Sequence, residues 1–428
     1  MATYESYKDS GVKWLGQIPS HWEVKSLRNF LRPFSERNHP DKQLLSVTRD
    51  KGVIVRGAKG EDDNHNVIPE DLSGYKHVLP GDFVINKMKS WQGSYGVSDF
   101  EGIVSPAYFT YHLDFANERF FSLALRSSAY IPFFMQFSKG IRVDQWDLTP
   151  DALKTIPFFL PSPDEQEAIV VYLDKVTGNI DRAIEAQQKM IDALNERKQI
   201  IITRAVTRGL NPDAPLSDSG IDWLGQIPEH WEIRKLKWLI DSPLQYGANE
   251  SPDDFSESLP RYIRITDIAS DGTLKKDGAV SLAWNKASKY ILTKGDILFA
   301  RSGATVGKTY LFLDESTSCF AGYLIKAQCN SLILPEFLVY YTQSSVYENW
   351  KNYIFNKATI QNIGADKYST LLVPLPLVDE QRIILEKLKN DLTPIKQAIL
   401  NCERMISLLQ ERKQIIINEV VIGKTKVI

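Results

Sequence analysis

A chain of 428 residues is too long for one ordinary core and predicts two to three domains. With 43% hydrophobic, 11% aromatic and 24% charged residues, it lacks the bias that keeps a chain disordered. A formal net charge of −2 excludes the basic balance of a small DNA-binding protein acting alone. Any phosphate contacts must be gathered on one face or shared with partners.

The first element in chain order is a box, Asp9-Ser10-Gly11-Val12-Lys13-Trp14-Leu15-Gly16-Gln17-Ile18-Pro19-Ser20-His21-Trp22-Glu23. It returns as Asp218-Ser219-Gly220-Ile221-Asp222-Trp223-Leu224-Gly225-Gln226-Ile227-Pro228-Glu229-His230-Trp231-Glu232. A strand follows in each half: Pro80-Gly81-Asp82-Phe83-Val84-Ile85 is echoed by Lys294-Gly295-Asp296-Ile297-Leu298-Phe299. Next comes a hinge, Leu160-Pro161-Ser162-Pro163-Asp164-Glu165-Gln166, matched by Leu375-Pro376-Leu377-Val378-Asp379-Glu380-Gln381. Each half ends on a helical tail, Glu196-Arg197-Lys198-Gln199-Ile200-Ile201-Ile202 and Glu411-Arg412-Lys413-Gln414-Ile415-Ile416-Ile417. Four echoes in one order establish a duplication. A period of ~210 residues is far too long for a solenoid, so the repeated unit is a whole domain plus its helix. The fillings, 24–155 and 233–370, share little beyond the Gly-Asp strand, which suggests one fold with two different faces.

Asp164 and Asp379 follow proline-containing loops and occupy expected N-cap positions. Each helical segment is expected to pause, at Thr177-Gly178-Asn179 and at Leu392-Thr393-Pro394, leaving long helices over about 179–207 and 394–421. Along these segments mostly apolar seam positions follow a spacing that alternates four and three, with some steps of seven. The first set runs Ile169, Leu173, Val176, Ile180, Ala183, Gln187, Met190, Leu194 and Ile201; the second runs Ile384, Leu388, Ile395, Ala398, Cys402, Met405, Leu409 and Ile416. Such a seam wants a partner helix. A helix of about 29 residues is ~44 Å long, which compares with ~34–36 Å for one DNA turn. The predicted fold class is mixed α/β (α+β). Two similar domains are separated by two long antiparallel coiled-coil helices in an internal pseudo-two-fold repeat.

Catalytic signatures are wanting. Ser302-Gly303-Ala304-Thr305-Val306-Gly307-Lys308-Thr309 has only three residues between its glycines and is followed by a strand-like run, so it reads as a turn between strands rather than a phosphate loop. His21 and His230 sit beside Trp in the box and read as structural. Asp62, Asp63 and His65 lie in a polar, loop-like run, and no metal is expected. Asn211-Pro212-Asp213 is not the tetrapeptide of an adenine methyltransferase. No zinc-protease or hydrolase motif is found. Cys319, Cys329 and Cys402 form neither a disulfide framework nor a CxxC, which fits a reducing, cytoplasmic setting. Neither a signal peptide nor an apolar run of ~18 residues is found.

The order of box, Gly-Asp strand, hinge and helix end, taken twice between Asp9 and about Lys424, resembles the specificity subunits of type I restriction–modification systems. Gly102-Ile103-Val104-Ser105-Pro106-Ala107-Tyr108 resembles a segment of their first recognition domain. The resemblance implies a non-catalytic subunit that reads a bipartite double-stranded DNA site. Target-recognition domains would occupy 1–160 and 211–375, and helical spacers 161–210 and 376–428. It further implies two methyltransferase subunits holding S-adenosylmethionine and flipping the target adenine. Motor–nuclease subunits using ATP and Mg would complete the assembly, and no cofactor would belong to this chain.

Residues that match base edges should stand at strand ends and loops. In the first half these are Lys87, Lys89, Ser90, Trp91 and Gln92, then Arg142 and Gln145, with Arg49 and Lys51 at another strand end. In the second they are Arg301 and Ser302, then Lys357, Thr359, Gln361 and Asn362, with Arg264 and Thr266 from an early strand.

Overall fold

The computed structural model describes residues 3–57, 68–139, 146–269, 273–275, 277–303, 305–355 and 361–427. It divides into two compact units. The first takes Met1–Gln187 together with Arg404–Ile428, and the second is Gln188–Glu403. Both units share two helices, Pro163–Arg208 and Val378–Val421, each continuous in the described residues. Each unit therefore contains the start of one helix and the end of the other. No helix among the described residues is long and apolar enough to cross a membrane.

The repeated boxes fold alike. In the first unit Tyr7–Asp9 pairs with Gln17–Pro19, and Glu23–Ser26 pairs antiparallel with the hinge strand Pro157–Leu160. In the second, Leu216–Asp218 pairs with Gln226–Pro228, and Glu232–Lys235 with Leu372–Leu375. The hinge glutamate then fastens the box. Glu165 accepts hydrogen bonds from Trp22 Nε1 at 3.1 Å and His21 Nε2 at 3.0 Å. Glu380 accepts from Trp231 Nε1 at 3.1 Å and His230 Nε2 at 3.0 Å. The hinge glutamine amides donate to the Pro161 and Pro376 carbonyls, both at 2.9 Å. His21 and His230 thus have the structural role expected of them. Each tryptophan also receives the end of a long helix. Gly423, with φ +73°, lies so close to Trp22 that a Cβ would meet the indole at 3.1 Å; Gly209, with φ +68°, stands likewise against Trp231 at 3.2 Å. Only glycine ends a helix there without both backbone strain and a clash.

Above this frame each unit carries a four-stranded antiparallel sheet of the same order. In the first it is Leu31–Phe34, Phe109–Leu113, Phe83–Ile85, Tyr95–Val97. In the second it is Gln245–Tyr246, Leu324–Ala327, Ile297–Ala300, Thr309–Leu311. The central strand is entered through the Gly-Asp pair. Gly81 N–H and Gly295 N–H donate to Ser98 and Phe312 carbonyls, both at 2.8 Å. Asp82 and Asp296 carboxylates accept the N–H three residues back, from Leu79 at 2.7 Å and Thr293 at 2.8 Å. Around the sheets the units diverge. The first adds a hairpin, Leu45–Thr48 with Gly52–Val55, and the pair Lys76–Val78 with Gly102–Val104. The second adds a further four-stranded sheet in which Arg261–Ile263 runs parallel to Ser318–Phe320.

The long helices correct three expectations. They do not pause. Gly178 lies inside the first helix and Pro394 inside the second. Burial holds both stretches helical: Leu173 and Ile180 flank the glycine, Leu392 and Ile395 the proline. Thr393 Oγ1 donates to the Lys389 carbonyl beside the bond that Pro394 cannot make. The aspartates are not N-caps but first-turn residues. The first helix opens at Pro163, with Ser162 Oγ accepting the Glu165 N–H at 3.3 Å; the second opens at Val378. The seam also drifts. Ile180, Ile395 and Ile416 are buried, and Ala183, Leu194, Ile201, Ala398 and Leu409 are partly buried. Met190 and Met405 are exposed, while Ile191 and Ile406 turn inward instead. A strict seven-residue pattern slips by ~20° per heptad on a straight helix, which moves the buried face by one position.

Candidate nucleic-acid interface

The strand Phe83–Ile85 runs out into a turn whose centre is the 3-10 segment Ser90–Gln92. Its residues have distinct fates. Lys89 is exposed and Gln92 partly so. Lys87 bonds Asp147 at 2.8 Å. Trp91 meets Trp146 edge-on at 5.5 Å, and its indole N–H donates to the Met88 carbonyl. Ser90 is fully buried; its hydroxyl donates to the Lys87 carbonyl at 3.1 Å. Ser90 therefore shapes the turn from inside and does not fit a reading role.

The hairpin turn carrying Arg49 and Lys51 lies beside this segment. A Cβ on Gly93 would meet Arg49 Cγ at 3.8 Å, so the two turns form one surface. Arg49 is exposed and pairs with its neighbour Asp50 at 3.2 Å; Lys51 is also exposed. Arg126, at the end of the helix Glu118–Leu125, joins the two turns from behind. Its guanidinium donates to the Tyr95 carbonyl at 2.8 Å, Asp50 at 2.6 Å and Arg49 at 3.1 Å. Burial pulls its pKa down, with nearby Tyr95 and Asp50 opposing.

In the second unit, the strand Ile297–Ala300 runs into Arg301, Ser302 and Gly303. Ser302 bridges to Asn362, and Ile363 N–H donates to the Arg301 carbonyl at 2.9 Å. Two distant stretches of sequence are thereby brought together. The Arg301 guanidinium lies 4.9 Å over the Tyr246 ring, a cation–π contact that leaves donors for an acceptor in front. Arg301 Nε and Asn362 Oδ1 are buried without hydrogen-bond partners, and Gln361 beside them is exposed. Such groups cost about 1–3 kcal/mol each until something pairs them. The turn is held from behind by two buried tyrosines: Tyr347 Oη donates to Gly307 and Tyr368 Oη to Ala300, both at 2.9 Å. Apart from Ala304, outside the described residues, 302–309 is a turn leading into the strand Thr309–Leu311, as expected, and not the helix a phosphate loop requires.

Known proteins are similar to this chain. Residues 228–401 match the family described as type I restriction modification DNA specificity domain. The MjaX specificity subunit of Methanocaldococcus jannaschii is 23% identical over 98% of both chains. The MjaVIII specificity subunit of the same organism is 24% identical over 72% of this chain and 70% of its own. The chain is thus similar to type I restriction–modification specificity subunits along nearly its whole length, and residues 228–401 carry the match to their DNA specificity domain. Its fold agrees. A chain solved in work on complex assembly and conformational transition of the type I R-M system superposes with a TM-score of 0.67 at 16% identity, covering 95% of this chain and 99% of that one.

The other expected readers differ in availability. Arg264 places its fork on Asp267, at 2.9 and 3.2 Å, and on the Gly278 carbonyl at 2.8 Å. Thr266 touches the same carboxylate at 3.4 Å. Their polar groups shape the turn Ile265–Asp267. Arg142, Gln145, Lys357 and Thr359 lie outside the described residues, as do Asp62, Asp63 and His65. Sequence reasoning missed Arg126, Tyr246 and Trp146. Nothing local marks Arg126, because its three acceptors come from two other segments. Tyr246 lies ~55 residues before Arg301 and meets it only through the sheet.

Proposed function

We propose that the two units read the two halves of a bipartite double-stranded DNA site, and that the chain supplies specificity without chemistry of its own. One observation carries the reading. A constant frame, fastened by the same Trp–His–Glu contacts, presents two unlike polar turns at the end of the same strand. A catalytic site repeated by duplication would keep its residues; a pair of readers for two different sequences would change them.

The reading takes 1–160 and 211–375 as recognition domains and 161–210 and 376–428 as the spacers that set their separation. The exposed middles of the long helices offer docking surface to two methyltransferase subunits, which would hold S-adenosylmethionine. Motor–nuclease subunits would bring ATP and Mg. Shared phosphate contacts account for the net charge of −2. A cytoplasmic location goes with these partners.

The test is to co-express the chain with the methyltransferase encoded beside it and map methylated adenines by long-read sequencing. One bipartite motif with a fixed spacer is expected, and exchange of 24–155 should change only one half. A stable complex that leaves no motif would overturn the proposal.

A further inference from the structure

Glu36, His39 and His77 bring three ligand atoms within 4.8 Å of one another, a grouping of metal-ligand type among the described residues. Glu36 Oε1 is 2.8 Å from His39 Nε2 and 3.5 Å from His77 Nδ1. The two imidazoles stack at 4.2 Å. A tetrahedral ion ~2.0–2.1 Å from each ligand keeps its ligands ~3.3 Å apart, so small adjustments suffice.

A second observation points the same way. His77 is 7% exposed, and its Nδ1 is buried without a hydrogen-bond partner although it faces Glu36. Its other nitrogen, Nε2, contacts Glu101 at 3.2 Å, and Glu101 is held by Lys42 at 2.6 Å. With Nε2 as donor to Glu101, Nδ1 is left with its lone pair aimed at the cluster. A carboxylate behind a metal-binding imidazole is the usual means of fixing its tautomer and orientation. The cluster stands on fixed backbone: His77 N–H donates to the Glu36 carbonyl at 2.9 Å.

We infer that Glu36, His39 and His77 form a binding site for one divalent transition-metal ion, with zinc the best chemical match to two imidazoles and a carboxylate. Glu101 orients His77 from outside the site. The ion would replace the proton now shared by His39 and Glu36, with water as a fourth ligand. It would clip the two ends of the segment 36–77, which contains the Arg49–Lys51 hairpin turn, and so steady one reading surface of the first unit. The sequence hides the site because His77 arrives only through its bridge to Glu36.

The full chain, stripped with EDTA and dialysed, is titrated with Zn2+ by calorimetry and with Co2+ by absorption spectroscopy. One ion per chain is expected, with a four-coordinate Co2+ spectrum. His39→Ala removes a partly exposed ligand and should weaken binding at least tenfold while leaving the circular dichroism of the metal-free chain unchanged. Glu101→Gln should weaken binding by ~10–100-fold. Absence of stoichiometric binding by the folded chain, or affinity unchanged in His39→Ala, overturns the inference.

Discussion

The polar turn of the first unit is held by a partly buried cation, and that of the second by two neutral, buried phenols. Arg126 gathers three carbonyls from two segments in the first unit. Tyr347 and Tyr368 each donate one hydrogen bond to the turn of the second. Around these unlike supports the frames agree closely: both box tryptophans lie 3.1 Å from their glutamates and both histidines 3.0 Å. The strand-entry aspartates show where agreement stops. Asp82 bonds His112 at 2.8 Å, whereas Asp296 faces Lys326 at 3.7 Å. Contacts that satisfy buried polar groups of the shared frame stayed fixed, and residues one layer further out were replaced.

That contrast is broken most severely at Arg126. Arg126→Ala removes three hydrogen bonds from a charged donor, two of them exposed, and should cost ~2 kcal/mol. Denaturant unfolding should show the loss, and methylation mapping should show decay of one half-site only. Tyr368→Phe removes one neutral bond and should cost only ~1 kcal/mol; equal losses in the two variants would erase the distinction. Arg301→Ala should weaken specific binding by ~1–3 kcal/mol and relax the other half-site, which competition binding with half-site variants reads directly. A uniform loss on all sequences would mean a phosphate contact instead.

Smaller effects test how alike the frames are. The Glu165 side chain is 4% exposed and that of Glu380 30%. Glu165→Gln should therefore cost ~2 kcal/mol and Glu380→Gln ~1 kcal/mol or less in thermal unfolding. The smallest expected effect is an absence of reaction. Burial pushes the Cys319 and Cys329 thiols up to about 12, so both should resist iodoacetamide at pH 8 in the native chain. Both belong to the second unit. Their continued protection in Arg126→Ala would show that the damage stays in the first.

The duplicated frame was legible because its signals are local: a box, a Gly-Asp entry and a hinge triplet each carry their own hydrogen-bonding logic. Helix continuity was less so. Gly178 and Pro394 are unfavourable by about 1 and 3 kcal/mol in isolation, and only the burial of Ile180, Leu392 and Ile395 overrides them. The proposed reading surfaces were half legible. Strand ends pointed to Arg301 and Gln92, but inside a turn nothing distinguishes buried Ser90 from exposed Lys89. Arg264 looks identical to Arg301 until Asp267 is seen to occupy it.

The discontinuous first unit also has a consequence for synthesis. Its core includes Ile416, Ile417, Val420, Val421 and Ile422, whereas the second unit closes within Gln188–Glu403. The half made first is thus the half finished last. At ~5–20 residues per second, its box and sheet wait tens of seconds for those apolar residues, with the Trp22 surface uncovered. A pause late in translation, or a chaperone bound near Trp22, would act on this half while the other is already complete.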